Sequence, residues 1–303
     1  MKFKALFSNK SGLFQLWILL FLMMAGVILA SLLTILLGFT DGNLTSQDPG
    51  VLRLIQSTSV FCSFLFPTLG LAWLCSYSPA DYLSLNRLPS SQIFIAVTLA
   101  LFLLSPLINL TALLNQQIVL PSWMHSLESW MQAKEQEMET IVQLLIREPG
   151  IGALFSNLLV IALLAALTEE FLFRGAIQRI LEKWTNNHHL VIWIAAILFS
   201  AIHLQFYGFI PRLLLGAYFG YLLYWSKSIW LPVFAHFLNN AVAVLAERDQ
   251  QLSQNEFISG DIQADHLFGY STLTLIACVL FYFLNKQIRA KAVKENQNTF
   301  FRN

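Results

Sequence analysis

Apolar runs separated by short polar stretches set the pattern of the chain, at residues 13–39, 51–76, 92–112, 152–175, 190–208, 211–227, 229–247 and 266–285. Most approach the ~20 residues a helix needs to cross a bilayer. The pattern therefore predicts an all-α, polytopic membrane helix bundle of about eight transmembrane helices. The first run, Leu13 to Phe39, follows the basic residues Lys2, Lys4 and Lys10. It exceeds the roughly 7–15 apolar residues of a signal-peptide core, so it reads as a retained first helix. The runs at 211–227 and 229–247 nearly abut, which calls for a tight hairpin at Lys227-Ser228. The fourth helix is expected to continue beyond the membrane along Gln178 to Lys183.

Two polar segments have patterns of their own. In residues 122–147, Leu127, Trp130, Met131, Met138, Ile141, Val142 and Leu145 recur near the helical period, between Pro121-Ser122 and Pro149-Gly150. This predicts an amphipathic helix lying on the outer membrane surface, with a lid or substrate-docking role left open. Residues 248–265 are polar and acidic and read as a loop. The expected organisation is an N-terminal part (1–150), a central helix core (151–247), and a last part (248–303) with the acidic loop, the final span and a basic tail.

Composition agrees with the pattern: 56% of the 303 residues are hydrophobic and 12% charged, against about 25% charged in soluble domains. The net charge of +1 gives no reason to expect a nucleic-acid partner. Cys62, Cys75 and Cys278 lie inside apolar runs, without the spacing of a zinc site. With both termini cytoplasmic, the inner segments collect Lys2, Lys4, Lys10, Arg87, Arg179, Lys183, Lys227 and the tail cations Lys286, Arg289, Lys291, Lys294 and Arg302. The outer segments then hold Arg53, Lys134, Arg147, Arg212, Arg248 and most of the acids. The positive-inside rule favours that orientation and an even number of spans.

Ionisable side chains within apolar runs are functional candidates, because a charge at mid-bilayer costs a few kcal/mol on insertion scales. Three places stand out. Glu169 and Glu170 interrupt the fourth run, and Arg174, four residues after Glu170, shares its helix face. His203 follows Phe199 by four residues, and His236 and Asn240 share a face of the seventh run. Read singly, each has an ordinary alternative: a helix-bonding ion pair, a hydrogen-bonded core histidine, or polar glue between helices. His125, His188, His189 and His266 fall in or beside polar segments and carry no assigned role.

Taken in order, Glu-Glu-x-x-x-Arg (Glu169, Glu170, Arg174), Phe-x-x-x-His (Phe199, His203) and His-x-x-x-Asn (His236, Asn240) resemble the CPBP family of intramembrane proteases. That family includes the CAAX prenyl endopeptidases and bacterial proteins linked to bacteriocin processing and self-immunity. The resemblance spans about residues 150–247, with all three motifs intact. It implies that Glu169 and His203 polarise a water for attack on a peptide bond. His236 and Asn240 would stabilise the oxyanion, and Glu170 with Arg174 would orient the site. The implied substrate is a membrane-associated, prenylated or leader peptide, and the expected location is a bacterial inner membrane.

Cofactor use stays open at this level. Glu169, His203, His236 and Asn240 form a donor set that could ligate a divalent ion such as zinc. The His-Glu-x-x-His spacing of many zinc proteases is missing, and the same residues serve equally as a metal-free glutamate site. Two other classes compete with hydrolysis. An ion-coupled transporter also buries acids and histidines, but no internal repeat marks one here. A non-catalytic self-immunity protein would tolerate loss of each motif residue.

Overall fold

The computed structural model describes residues 4–37, 48–260 and 262–300; Lys2, Phe39 and Arg302 lie outside the described residues. The long helices are α1 (Gly12–Leu36), α2 (Pro49–Cys75), α3 (Ser91–Gln116), α4 (His125–Ile146), α5 (Ile151–Leu181), α6 (His188–Ala201), α7 (Phe209–Ser226), α8 (Trp230–Arg248) and α9 (Leu267–Phe300). Among the described residues there is no strand. All but α4 fall on the predicted apolar runs, and α4 is the amphipathic segment. Five of them (α1, α2, α3, α5 and α9) are long and apolar enough to cross a membrane. α6 is apolar but has only 14 residues. α7 and α8, of 18 and 19 residues, carry Arg212, His236, Asn239 and Asn240. The chain is an all-α polytopic membrane protein.

One predicted boundary is corrected. The run at 190–208 does not form a single span, because helix α6 stops at Ala201 and an irregular connection follows. Asn115, at the end of α3, donates to the Phe206 carbonyl (2.9 Å) and accepts from the Ile210 N–H (2.8 Å). These bonds satisfy backbone groups that a continuous helix would have paired internally. The hairpin between α7 and α8 is where the sequence places it. Lys227 takes a left-handed conformation (φ 53°) at the end of α7, and the Ser228 hydroxyl donates to the Arg87 carbonyl at 2.5 Å.

The connections sort into two ends. At one end Ala5 N–H donates to Trp73 O, Ile229 N–H to Ser84 O, and Arg87 Nη1 to Asn296 Oδ1. At the other, Arg53 pairs with Glu148, Arg248 donates to the carbonyls of Glu148 and Gly150, and Asn109 reaches Phe257 O. This is the alternation expected of an up-and-down bundle with both described terminal segments at one end. α4 lies at the other end.

Helix packing is close where α1 crosses α2. A Cβ on Gly26 would stand 2.0 Å from the Cys62 carbonyl oxygen, in the stretch Phe61–Leu65 where α2 widens to a π-helix. Small residues allow such close approach between membrane helices. Gly26→Ala is therefore expected to force the helices apart and to destabilise the protein by about 1–3 kcal/mol. A lowered midpoint of thermal unfolding in detergent would register this; an unchanged midpoint would mean that the crossing yields at no cost.

Candidate functional site

Helix α5 supplies the acids. Its Leu- and Ala-rich first half is a strong helix former, and it contains two π-helical stretches, Leu158–Leu164 and Phe171–Ile177. Such widenings recur at functional sites because they shift the faces that side chains present. Between them, Glu169 and Glu170 point apart. Glu170 is fully buried, and its Oε1 accepts from Arg174 Nη1 at 2.8 Å and from His236 Nδ1 at 2.8 Å. Arg174, also buried, donates through Nη2 to the Gly216 carbonyl of α7 at 2.7 Å. Its guanidinium lies 4.6 Å from the Phe199 ring centroid and 5.5 Å from that of Phe219, an arrangement suited to cation–π attraction. Gly216 permits this: a Cβ there would meet Phe199 Cδ1 at 2.9 Å.

Two histidines turn toward Glu169. His203 sits in the connection just beyond α6, and its Nδ1 lies 2.8 Å from the Phe199 carbonyl. A carbonyl only accepts, so Nδ1 carries the proton and the neutral ring leaves Nε2 with a lone pair. His236 on α8 stacks on Phe219 with ring centroids 5.1 Å apart, and its Nδ1 is committed to the Glu170 carboxylate. Both Nε2 atoms lie 3.8 Å from the same oxygen, Glu169 Oε2. That is beyond direct hydrogen bonding and is a separation that one bridging water spans.

Asn240, one turn beyond His236, donates to the Ile161 carbonyl at 3.3 Å and accepts from Asn239 at 3.3 Å. Ile161 belongs to the first π stretch of α5, so this amide ties α8 to α5 beside the acids. Phe199 forms a wall shared by Arg174, His203 and His236. The seven residues singled out in the sequence thus lie on α5, α8 and the α6 end, around Glu169 and Glu170.

Arg212 was assigned from the sequence to an outer segment, and nothing in its local pattern marks it. It is held by Gln205, through Nη2 to Oε1 at 2.8 Å and Nη1 to the carbonyl at 3.4 Å, and its charge acts on both Glu169 and Glu135. Gly208 makes room, since a Cβ there would stand 2.9 Å from Arg212 Nη2. α4 lies against this rim: Gln132 donates to the Tyr207 hydroxyl at 3.1 Å, and burial pushes the Glu135 carboxyl up while Arg212 opposes the shift.

The fit to a metal is poor as the side chains stand. Among the described residues no three of His, Cys, Asp and Glu group closely enough to hold an ion. Ligands at about 2.0–2.2 Å from a tetrahedral ion lie roughly 3.4 Å apart, whereas the two N–O separations here are 3.8 Å. Asn240 is turned to Ile161.

Comparison with known proteins bears on the same stretch. Residues 151–242 match the family model described as type II CAAX prenyl endopeptidase Rce1-like. The chain is also similar to the uncharacterized protein YpbD of Bacillus subtilis, 29% identical over 90 residues, which are 28% of this chain and 43% of the relative. The chain thus spans less than half the length of that relative. No solved structure matches. All seven motif residues fall inside the matched stretch, so the similarity of this membrane protein to the Rce1-like type II CAAX prenyl endopeptidases lies in residues 151–242.

Proposed function

We propose that the protein is an intramembrane endopeptidase that hydrolyses a peptide bond with a water activated by Glu169 and His203. The observation that carries this reading is the convergence of two anchored imidazoles on one carboxylate oxygen, each at 3.8 Å. A water shared by Glu169 Oε2 and His203 Nε2 would give its proton to the carboxylate as its oxygen attacks the peptide carbonyl. Glu169 would then return that proton to the departing amine. His236 would donate to the developing oxyanion from a doubly protonated ring, Nδ1–H to Glu170 and Nε2–H to the substrate oxygen.

Asn240 would supply the second oxyanion donor, since its amide has a further N–H beyond the one given to Ile161. Removal of one such donor typically costs about 10²–10³ in kcat. Asn240→Ala is therefore expected to lower kcat by that range with little change in KM. A variant with unaltered kcat would remove Asn240 from the machinery.

A further inference from the structure

We infer that the basic hollow between α7, α9 and the connection leading into α3 is a seat for the phosphate headgroup of an anionic membrane lipid. This holds whether or not the hydrolytic reading above does. Three observations carry it. First, the hollow is positive. A cavity of about 470 Å³ is lined by Arg87, Lys227 and Arg289 together with Tyr224, Trp225 and Val293. The charges of Lys227 and Arg289 both act on His188, whose ring stacks on Tyr224 with centroids 4.2 Å apart. Lys227 Nζ lies 4.4 Å from the centroid of the same tyrosine. The acids nearby are already engaged. Asp81 accepts from Ser78 and Asn86, Glu295 accepts from the Ser90 N–H and hydroxyl, and Glu182 is shared between Lys227 and Arg179. Arg289 makes no hydrogen bond or ion pair among the described residues.

Second, the hollow is framed by cross-ties. Arg87 Nη1 donates to Asn296 Oδ1 at 2.9 Å, and Asn296 Nδ2 donates to the Trp225 carbonyl at 2.9 Å. The Ser228 hydroxyl holds the Arg87 carbonyl. The three cations thus come from three segments that are bonded to one another, and two of them carry the planar fork that suits a phosphate. Tyr224 and Lys227 also line a smaller cavity, of about 80 Å³, that reaches Arg174. A headgroup seated here would hold the hairpin between α7 and α8 against α9.

Third, the depth is that of lipid headgroups. The last apolar run, 266–285, rises about 30 Å at 1.5 Å per residue, which matches the hydrocarbon core. Arg289, four residues further on, then lies about 6 Å outside that core, in the headgroup layer. Tyr282, Lys286, Arg289 and Val293 follow one another at helical spacing and are all exposed. The cations therefore sit directly above an apolar helix face along which acyl chains can lie. Tyr224 and Trp225 are the residue types that favour this interface. Basic pockets between membrane helices at this level are suited to anionic headgroups. A free phosphate would use the cations but gain nothing from the apolar face.

A titration of the full-length protein in a neutral detergent tests the seat. Phosphatidylglycerol is expected to raise the thermal midpoint saturably, because a ligand that binds the folded state stabilises it. Phosphatidylcholine and inorganic phosphate should not. Each cation near an anionic lipid is worth about fivefold in affinity, so Lys227→Gln with Arg289→Gln should raise the half-saturating lipid fraction about 25-fold. Arg289→Gln alone removes an exposed side chain that bonds to nothing described. It should keep the midpoint in detergent and shift the titration about fivefold, which reads the seat even if the double variant is unstable. Arg147→Gln, an equal loss of charge at the exposed α4 end, should titrate like the unaltered chain. An equal rise with phosphatidylcholine would overturn the proposal, since general lipid solvation would then be the cause. An equal rise with inorganic phosphate would overturn the lipid assignment. An unshifted Arg289→Gln, or an Arg147→Gln shifted as far, would overturn the placement in this hollow.

Discussion

Replacing Glu169 with glutamine is expected to remove hydrolysis by about 10²–10⁴-fold, the usual worth of a positioned acid–base group, while the protein still inserts and accumulates. Both halves of the expectation follow from where the carboxylate sits. Its oxygen is 3.8 Å from each Nε2, so it is not part of the hydrogen-bonded frame formed by Glu170, Arg174, His236 and Gly216. Glutamine keeps the volume and one acceptor but cannot take the water's proton. The structural frame should therefore survive the loss of the base. Comparative proteomics of membrane and secreted fractions from cells with either protein measures the outcome. A peptide whose uncut form accumulates only with Glu169→Gln would name the substrate and the bond. Undiminished cleavage by the variant would sink the assignment of the base, and it would return the site to the transport and immunity alternatives.

The sequence carried the positions of the helices because lipid imposes a strong rule: polar backbone must be satisfied within each segment, and only apolar runs of sufficient length tolerate the core. The motif residues were legible for the converse reason, as charges that lipid should have excluded. What pattern could not carry was tertiary. The end of α6 at Ala201 depends on Asn115, more than eighty positions away in the chain, capturing Phe206 and Ile210. His203 consequently leaves the helix that seemed to hold it. Arg212 looked like an ordinary outer charge until Gln205 and Gly208 folded around it. The cage that holds Arg174 needs Gly216 and Phe219 of α7, neither of which is distinctive in a run already rich in glycine and aromatics.

That cage separates the two acids physically. Glu169 and Glu170 are neighbours in sequence, yet one faces a partly accessible space and the other lies against a guanidinium. Adjacent helix positions differ by about 100° in direction, which alone divides them between two neighbours. Glu170 then acts through His236: by accepting from Nδ1 it fixes the ring and aims Nε2 at Glu169. This is the logic by which an outer carboxylate orients a functional histidine elsewhere. The consequence is that orientation and stability depend on the same pair.

Arg174→Met should accordingly be the most damaging single change to folding. It leaves the buried Glu170 carboxylate without its cation and strands the Gly216 carbonyl. Breaking a buried pair by removing one partner costs about 3–5 kcal/mol, a large part of the roughly 5–15 kcal/mol that holds a typical domain folded. The expected result is little accumulation in the membrane and a collapsed thermal midpoint in detergent. Arg174→Lys should rescue only partly, because an ammonium lacks the planar fork that serves Glu170 and Gly216 at once and the flat face that lies over Phe199. Glu170→Gln combined with Arg174→Met should recover stability relative to Arg174→Met alone, since no uncompensated charge remains. The two effects are then non-additive, as expected of residues in direct contact. Catalysis should not return with stability, because a neutral amide at position 170 supplies no counter-charge for an imidazolium at His236. A double variant no more stable than Arg174→Met would show that the stranded carboxylate is not what the arginine offsets, and the defect would then lie in the lost tie to α7.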